Sequence, residues 1–370
     1  MKYRTTLVFI LFFQHLIGQV SYSNEFLNIG VGARSHAMSG AVEASANDIN
    51  AAYWNPAGLS NINSSLQLGV MHSEWFGGVG KYDHISIAKS LKKEKRSVGA
   101  ISMIRLAIDQ IPNTLNLVGP DGSIRFENVS EFSAVDYGFL LSYSSALGKL
   151  NEDAFAFDKS LFAGGNIKII HRLIGPFASA WGFGIDAGLQ WIRPHWQLGI
   201  AGHDLSTTFT GWKYTFTEEQ KVILAKTNNI IPVSTLEKTL PRLGVAFEYK
   251  VSITNRVSLH PEAGFNMYFD GQRNTPVSNS TFSLEPKLGI ELGYHDLAFI
   301  RFGYGNIQKI KDEINLSEFQ TRGQLNAGLG IKIGKVSIDY ALANIGNLAK
   351  EINYSHIFSA TMNFTPTDSK

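Results

Sequence analysis

Of the 370 residues, 44% are hydrophobic and only 17% charged, and a net charge of +2 leaves no footprint for nucleic acid or another polyanion. The chain has no cysteine, which excludes disulfide frameworks, thiolate nucleophiles, cysteine zinc sites and a lipid-anchoring cysteine. Its 35 glycines and 12% aromatics suit many strands whose faces alternate bulky with very small side chains.

Lys2 and Arg4 precede an apolar run, Leu7 to Phe13, extended by Leu16 and Ile17. This pattern is expected of a cleaved export signal over residues 1–20, with the cut somewhere around residues 18 to 22. No later segment approaches the roughly 20 apolar residues of a spanning helix, so a membrane form has to be a barrel.

Residues 21–62 form the next unit. Within it, Phe26 to Leu59 is rich in small residues and broken at Trp54-Asn55-Pro56-Ala57-Gly58, which reads as a compact, turn-rich unit and not as a strand.

From residue 63 to 364 the period changes to two, and fourteen strands are expected. They fall near 65–73, 84–91, 97–107, 131–146, 160–171, 180–191, 195–203, 239–250, 256–268, 282–293, 296–304, 322–333, 335–343 and 354–364. In the sixth, Trp181, Phe183, Ile185, Ala187, Leu189 and Trp191 share one face, and Gly182, Gly184, Asp186, Gly188 and Gln190 the other. A soluble sandwich alternates too, but here long and short connections nearly alternate, as an outer-membrane barrel requires; the segment 147 to 159 is out of step. Trp181, Trp191, Trp196, Tyr249, Tyr268, Tyr294 and Tyr340 are candidates for interfacial girdles. Phe364 ends the last strand, and the tail 365–370 is expected to be disordered.

With the apolar face outward, the inner wall carries Asp186, Arg242, Glu248, His260, Glu262, Glu285, Lys287, Glu291, Arg301, Lys332 and Asp339. Glycines at 182, 184, 188, 264, 289, 293, 303, 328 and 330 leave hollows against which a second layer of backbone can pack. The N-terminal unit, with Arg34, Glu43 and Asp48 as wall partners, is the expected plug. The fold class is thus all-β, a 14-stranded antiparallel transmembrane barrel with an N-terminal plug in its lumen.

The run Phe26-Leu27-Asn28-Ile29-Gly30-Val31-Gly32-Ala33-Arg34, the segment Ala37-Met38-Ser39-Gly40-Ala41 and the break Tyr53-Trp54-Asn55-Pro56-Ala57-Gly58-Leu59 resemble the PorV/PorQ family, relatives of the FadL-like barrel fold. The resemblance singles out Gly30, Gly32, Arg34, Asn55, Pro56, Ala57 and Gly58 as the plug motif. It implies a Bacteroidetes-type outer-membrane protein serving the type IX secretion system as an accessory subunit. The partners implied are a large translocon or the C-terminal domains of cargo, besides outer-membrane lipid. A FadL-like transporter of hydrophobic small molecules is the alternative, and a subunit of other outer-membrane machinery, such as a barrel-assembly complex, a third reading. The inward positions, read as polar and glycine-rich, favour the accessory subunit over the transporter.

The longest expected loop, 204 to 238, holds Phe209, Trp212, Tyr214 and Phe216, then Val222, Ile223 and Leu224 on a short helix, as a candidate partner-binding surface. His260 with Glu262, and His195 with His203, lack a third convergent ligand for a metal. Gly77-Gly78-Val79-Gly80 and Gly328-Leu329-Gly330 open no helix and carry no Lys-Ser/Thr ending. The charge run Lys92-Lys93-Glu94-Lys95-Arg96 reads as a solvated turn. No catalytic residue, cofactor or metal is assigned, and the chain reads as non-enzymatic.

Overall fold

A computed structural model describes residues 23–75, 77–92, 96–118, 122–147, 160–226, 234–311, 319–343 and 355–365. The expected signal segment, most of the run 147 to 159, Lys93-Glu94-Lys95 and the tail beyond Thr365 lie outside them.

Fourteen antiparallel strands close into a barrel. They are β1 (Leu66–Trp75), β2 (Gly80–Lys92), β3 (Ser97–Asn113), β4 (Ser130–Ala146), β5 (Leu161–Ile174), β6 (Ala178–Ile192) and β7 (Trp196–His203 and Thr208–Tyr214). The circuit continues with β8 (Leu236–Thr239 and Arg242–Tyr249), β9 (Val257–Tyr268), β10 (Ser283–Tyr294), β11 (Ala298–Lys311), β12 (Phe319–Ile333), β13 (Val336–Ala343) and β14 (Ser355–Phe364). Each pairs with its sequence neighbour, and β1 pairs β14 from Leu66↔Phe364 to Glu74↔His356, so no edge remains. All fourteen strands expected from the two-residue period are present. Several run further than expected on the side away from the chain's C-terminus: β2 begins at Gly80 and β3 reaches Asn113.

The outer surface is what lipid requires. Trp181, Phe183, Ile185, Leu288, Ile290, Leu325 and Leu329 are exposed on successive outward positions, while the intervening residues are small or polar and buried. Such a belt on a closed sheet has water's polarity on the wrong side for a soluble sandwich. Trp181, Trp191, Tyr249 and Tyr294 stand outward as a girdle would. Tyr268 does not: its even-numbered register with Glu262 and Asn266 turns it inward, where it is 8% exposed.

Even strand number puts both barrel ends of the chain on one side. The two- to three-residue connections 193–195, 295–297 and 334–335 lie there, on what is called here the turn side; the longer ones, such as 215–235 and 269–282, lie on the loop side.

Part of the segment expected to be one long loop, 204 to 238, belongs to the barrel wall. Thr208–Tyr214 continues the barrel by pairing with β6, Ala178↔Tyr214 to Phe183↔Phe209. Residues 204–207 bulge out of β7, with Asp204 and Thr207 at positive φ. A buried cluster holds the bulge: Lys168 Nζ lies 3.0 Å from Asp186 and 2.6 Å from Asp204, and Asp186 accepts the Asp204 backbone N–H at 2.8 Å. The connection between β7 and β8 is 215–235, of which 215–226 and 234–235 are described.

Inside the barrel lie short helical turns, Glu25–Asn28, Ala33–Ala37, Ala51–Trp54 and Pro56–Asn61. None exceeds six residues, because Gly30 and Gly32 at φ +94 and +86 and the Asn55-Pro56 step break any longer helix. Asn55 caps the last of them, its side chain accepting the Ala57 N–H. Val31, Ala33, Ala37, Ile49, Ala51, Ala52, Ala57 and Leu59 are fully buried.

Candidate functional site: the plug and the lumen it divides

The N-terminal segment traverses the lumen. It starts on the loop side, where Asn24 Nδ2 donates to Thr210 Oγ1 at 3.0 Å and Thr239 Oγ1 at 2.9 Å, and ends on the turn side where it feeds β1. The inward column of β10 traces the descent. Glu285 faces a loop-side cavity, Lys287 ion-pairs Glu43, Gly289 lies under Met38, and Glu291 meets Arg34 and lines a turn-side cavity.

The expected partnership of Arg34 with a lumen carboxylate is thus made. Arg34 Nε reaches Glu291 Oε2 at 2.8 Å; Arg301 Nε reaches the same oxygen at 2.5 Å, and its Nη1 reaches Asp339 Oδ1 at 2.6 Å. Two guanidinium groups and two carboxylates alternate, so burial leaves none uncompensated. Asp48 does not reach the wall; it accepts from the Asn50 backbone and side chain, both at 2.9 Å.

Wall glycines admit the plug where the sequence expects hollows, though not always at the expected residues. A Cβ built at Gly188, Gly289, Gly303 or Gly328 would strike Asn55, Met38, the Met38-Ser39 backbone or Ala37. Gly69, Gly138, Gly164, Gly199, Gly244 and Gly305 serve the plug in the same way. The other expected hollows do not: Gly182 and Gly184 face Thr210 and Thr208 of β7, Gly264 faces the β8 backbone, Gly293 faces Ser258 and Phe299, and Gly330 faces Asp339 and Arg301. Those five make room for neighbouring wall residues, which the sequence alone could not separate from plug contacts.

Each plug-motif residue has a defined place. Gly30 lies against Trp54 and Gly32 against Asn50, and the Gly32 N–H points to Met71 Sδ at 2.9 Å. Asn55 Nδ2 donates to the Glu43 carbonyl at 2.8 Å and the Leu189 carbonyl of β6 at 3.0 Å, tying plug to wall through a side chain that is fully buried. Pro56 and Ala57 rest on Gly164, and Gly58 on the Ala46 carbonyl. Burial lowers the His36 imidazole to about 4, which its hydrogen-bonding contact with the Gly30 carbonyl at 3.2 Å only partly opposes.

The lumen is two-sided, a feature missed from the sequence. Met71, Trp75, Tyr82, Ile104, Leu140 and Ile170 point inward from β1–β5 and join Phe26, Leu27, Val31, Met38, Ile49 and Leu59 of the plug in one apolar cluster. The inward positions are therefore not polar throughout, as expected, but greasy over one arc. Trp75 follows Glu74, and Tyr82 stands between Lys81 and Asp83, so near the loop side of these strands the apolar residue faces inward and its charged neighbours away, the reverse of the contrast that marked β6, β10 and β12. The polar arc, β8–β12, leaves the loop-side cavity of about 350 Å³ and the turn-side cavity of about 510 Å³.

Among the candidate partner-binding residues, Phe209 stands outward on β7, 43% exposed. Trp212 is turned inward, 6% exposed, packed with Ala178 and Ala180 and with the Arg172 guanidinium 5.0 Å from its ring. Tyr214 ends the strand, stacking with Phe216 in a run that continues to Phe177. Only Phe216 and the helix Glu218–Lys226, which bears Val222, Ile223 and Leu224, remain on the loop. His260 faces Glu248 at 3.2 Å, and Glu262 accepts the Ala44 N–H at 2.8 Å; among the described residues no cluster of three metal-ligand side chains forms.

Neither a protein-family model nor a curated protein matches this sequence. Solved structures do resemble the fold. The Pseudomonas putida toluene transporter TodX aligns over 91% of this chain and 99% of its own, at 12% identity and a TM-score of 0.53. The CymD monoaromatic hydrocarbon channel aligns over 91% and 98%, at 12% identity and 0.53, and the Ralstonia pickettii toluene transporter TbuX over 90% and 98%, at 11% identity and 0.51. With its lipid-facing belt, closed circuit and lumenal segment, the chain is a 14-stranded antiparallel transmembrane barrel of the FadL-like type.

Proposed function

We propose that the protein is a non-enzymatic outer-membrane channel for small molecules, gated by its N-terminal plug. The observation that carries this reading is the loop-side cavity between plug and β8–β12, which gives a solute a place to wait above the plug. The likeness to channels and transporters of matching length supports it, and so does the apolar arc of β1–β5, which a displaced plug would bare as a second lining. The plug is fixed by a few ion pairs and many small-residue contacts, a combination that can be released without unfolding strands.

Swelling of liposomes containing the purified protein tests this. Full-length protein should admit small solutes, and a variant lacking residues 26–59 should admit more and larger ones. A full-length protein closed to every solute, beside a conducting deletion variant, would refute the channel.

The accessory-subunit reading is favoured by a different observation: the plug motif that resembles the PorV/PorQ family is the very part that fills the lumen. On that reading the stopper stays shut, and loop 215–235 holds a type IX translocon or cargo. Native purification in mild detergent, with and without residues 218–234, separates the two. Recovery of a large secretion partner that vanishes with the loop supports the subunit; lone barrels from both proteins support the channel.

A further inference from the structure

The loop-side cavity carries two opposite charges that the protein leaves without ionic partners. Arg242, at the loop-side end of its β8 segment, has its guanidinium 5.9 Å from the Tyr268 ring centroid, hydrogen-bonds the Tyr268 and Tyr53 hydroxyls and feels the charge of Asp204, which Lys168 already holds; among the described residues no carboxylate stands within ion-pair distance of it. Glu285 of β10 accepts from Tyr268 Oη at 2.8 Å and Asn266 Nδ2 at 3.3 Å, both on Oε2; its Oε1 has no protein donor among the described residues. Tyr268 of β9 stands between them, opposite Arg242 in the β8–β9 register, while Glu285 is opposite Asn266 in the next.

The other charges of this cavity are already matched. Lys287 is taken by Glu43, and Arg273 by Asp270 at 2.5 Å and Glu25 at 3.6 Å. Besides these charges the lining supplies side-chain amides, of which Asn28 Nδ2 already donates to Glu25 and Asn326 Nδ2 to Ser39. Gln324 of β12 is 3% exposed, lines the cavity, and its Nε2 has no acceptor; Asn28, Asn274 and Asn326 line it too. A buried donor without a partner is destabilising, and a ligand acceptor relieves that cost.

An unpaired cation, an unpaired anion and an amide wall in about 350 Å³ suit a ligand with its own separated carboxylate and ammonium. A hydrocarbon would strand all of these polar groups, and a neutral sugar would leave both charges unanswered. We infer that the loop-side cavity binds a small zwitterion of the amino-acid or short-peptide class, carboxylate on Arg242, ammonium on Glu285, and peptide or side-chain carbonyls on the amides. This names a substrate class for the channel proposed above and, for transport, rests on that reading.

The test is calorimetric titration of the purified full-length protein with alanylalanine, its N-acetyl derivative, its C-terminal amide, and glucose. The free dipeptide should bind, and each capped form should bind at least about tenfold more weakly, the loss expected for one charge-assisted hydrogen bond. Arg242→Met should erase the preference for free carboxylate over amide, and Glu285→Gln the preference for free amine over acetyl. The capped ligands make the comparison on unmodified protein, so a variant that fails to fold does not decide the matter. Equal binding of free and capped dipeptides, or dipeptide binding no tighter than glucose, overturns the site. Liposome swelling keeps the two readings apart. Dipeptide binding without flux of any solute upholds the site while refuting the channel; flux of other solutes without dipeptide binding does the reverse.

Discussion

Placing a methyl group on the wall where the plug backbone passes should expel the plug. An ideal Cβ at Gly199 of β7 lies 2.5 Å from Ala44 N and nearer still to the Glu43 carbonyl; one at Gly303 of β11 lies 2.6 Å from the Ala37 carbonyl oxygen and nearer to the Met38-Ser39 peptide. Both obstacles are backbone, so no side chain can swing aside, and neither glycine is at positive φ, so the strands themselves accept alanine. Overpacking of this kind costs about 1–3 kcal/mol per site. The two sites lie on different strands and touch different plug segments, so Gly199→Ala with Gly303→Ala should weaken plug docking by about 2–6 kcal/mol. Gly211→Ala is the control, because nothing lies within 4 Å of its Cβ position. Hydrogen exchange of plug amides in residues 31–60 reads the docking free energy directly, and planar-bilayer conductance reads its consequence. Plug protection in the double variant equal to that of Gly211→Ala would refute the close-packed plug.

Two further outcomes follow from the plug's charged and titratable groups. Arg34→Gln removes the fork on Glu291, 2.8 Å from Nε and 3.4 Å from Nη2, while Arg301 still neutralises the carboxylate. It should cost about 1.5–3 kcal/mol of plug docking in hydrogen exchange, and Arg34→Lys should recover only part, since a lone ammonium cannot reproduce the fork. His36 is held neutral by burial, with its pKa lowered from 6.5 to about 4, so a released plug binds a proton that the docked plug refuses. Docking is therefore at full strength above pH 6.5 and weakens as pH falls toward 4, by about 3 kcal/mol at the limit. His36→Gln should flatten that part of the pH profile of exchange; an unchanged slope would mean that the carboxylates alone set it.

The barrel was readable because lipid imposes a strict contrast on strands such as β6, β10 and β12, and every wall strand had at least one face set by it. The plug was readable from its small residues and from the Asn55-Pro56 break. What escaped was set by contacts between distant segments. Thr208–Tyr214 alternates as well as any strand, but Asp204 and Thr207 ahead of it look like ordinary turn residues until Lys168 and Asp186 are seen to hold them. The apolar arc was hidden because its inward residues have outward neighbours of both kinds: Leu140 lies between Phe139 and Leu141, while Tyr82 lies between Lys81 and Asp83. The cavity charges were visible as inward residues, yet only packing tells that Lys287 is spent on Glu43 while Arg242 is not.

The place of the plug also constrains how the barrel is assembled. The Gly32 N–H reaches Met71 on the first strand, and the next amide, that of Ala33, donates to Ser359 Oγ on the last at 3.1 Å. Two adjacent peptide groups thus bridge the one seam that joins strands nearly three hundred residues apart in sequence. Such a seam is the slowest pairing for a chain to find, because the whole intervening loop must be ordered first. With the plug lying across it, the first and last strands are brought together on a surface that belongs to neither, and the ring shuts around its own contents. A chain whose plug arrives late must find that seam without this template.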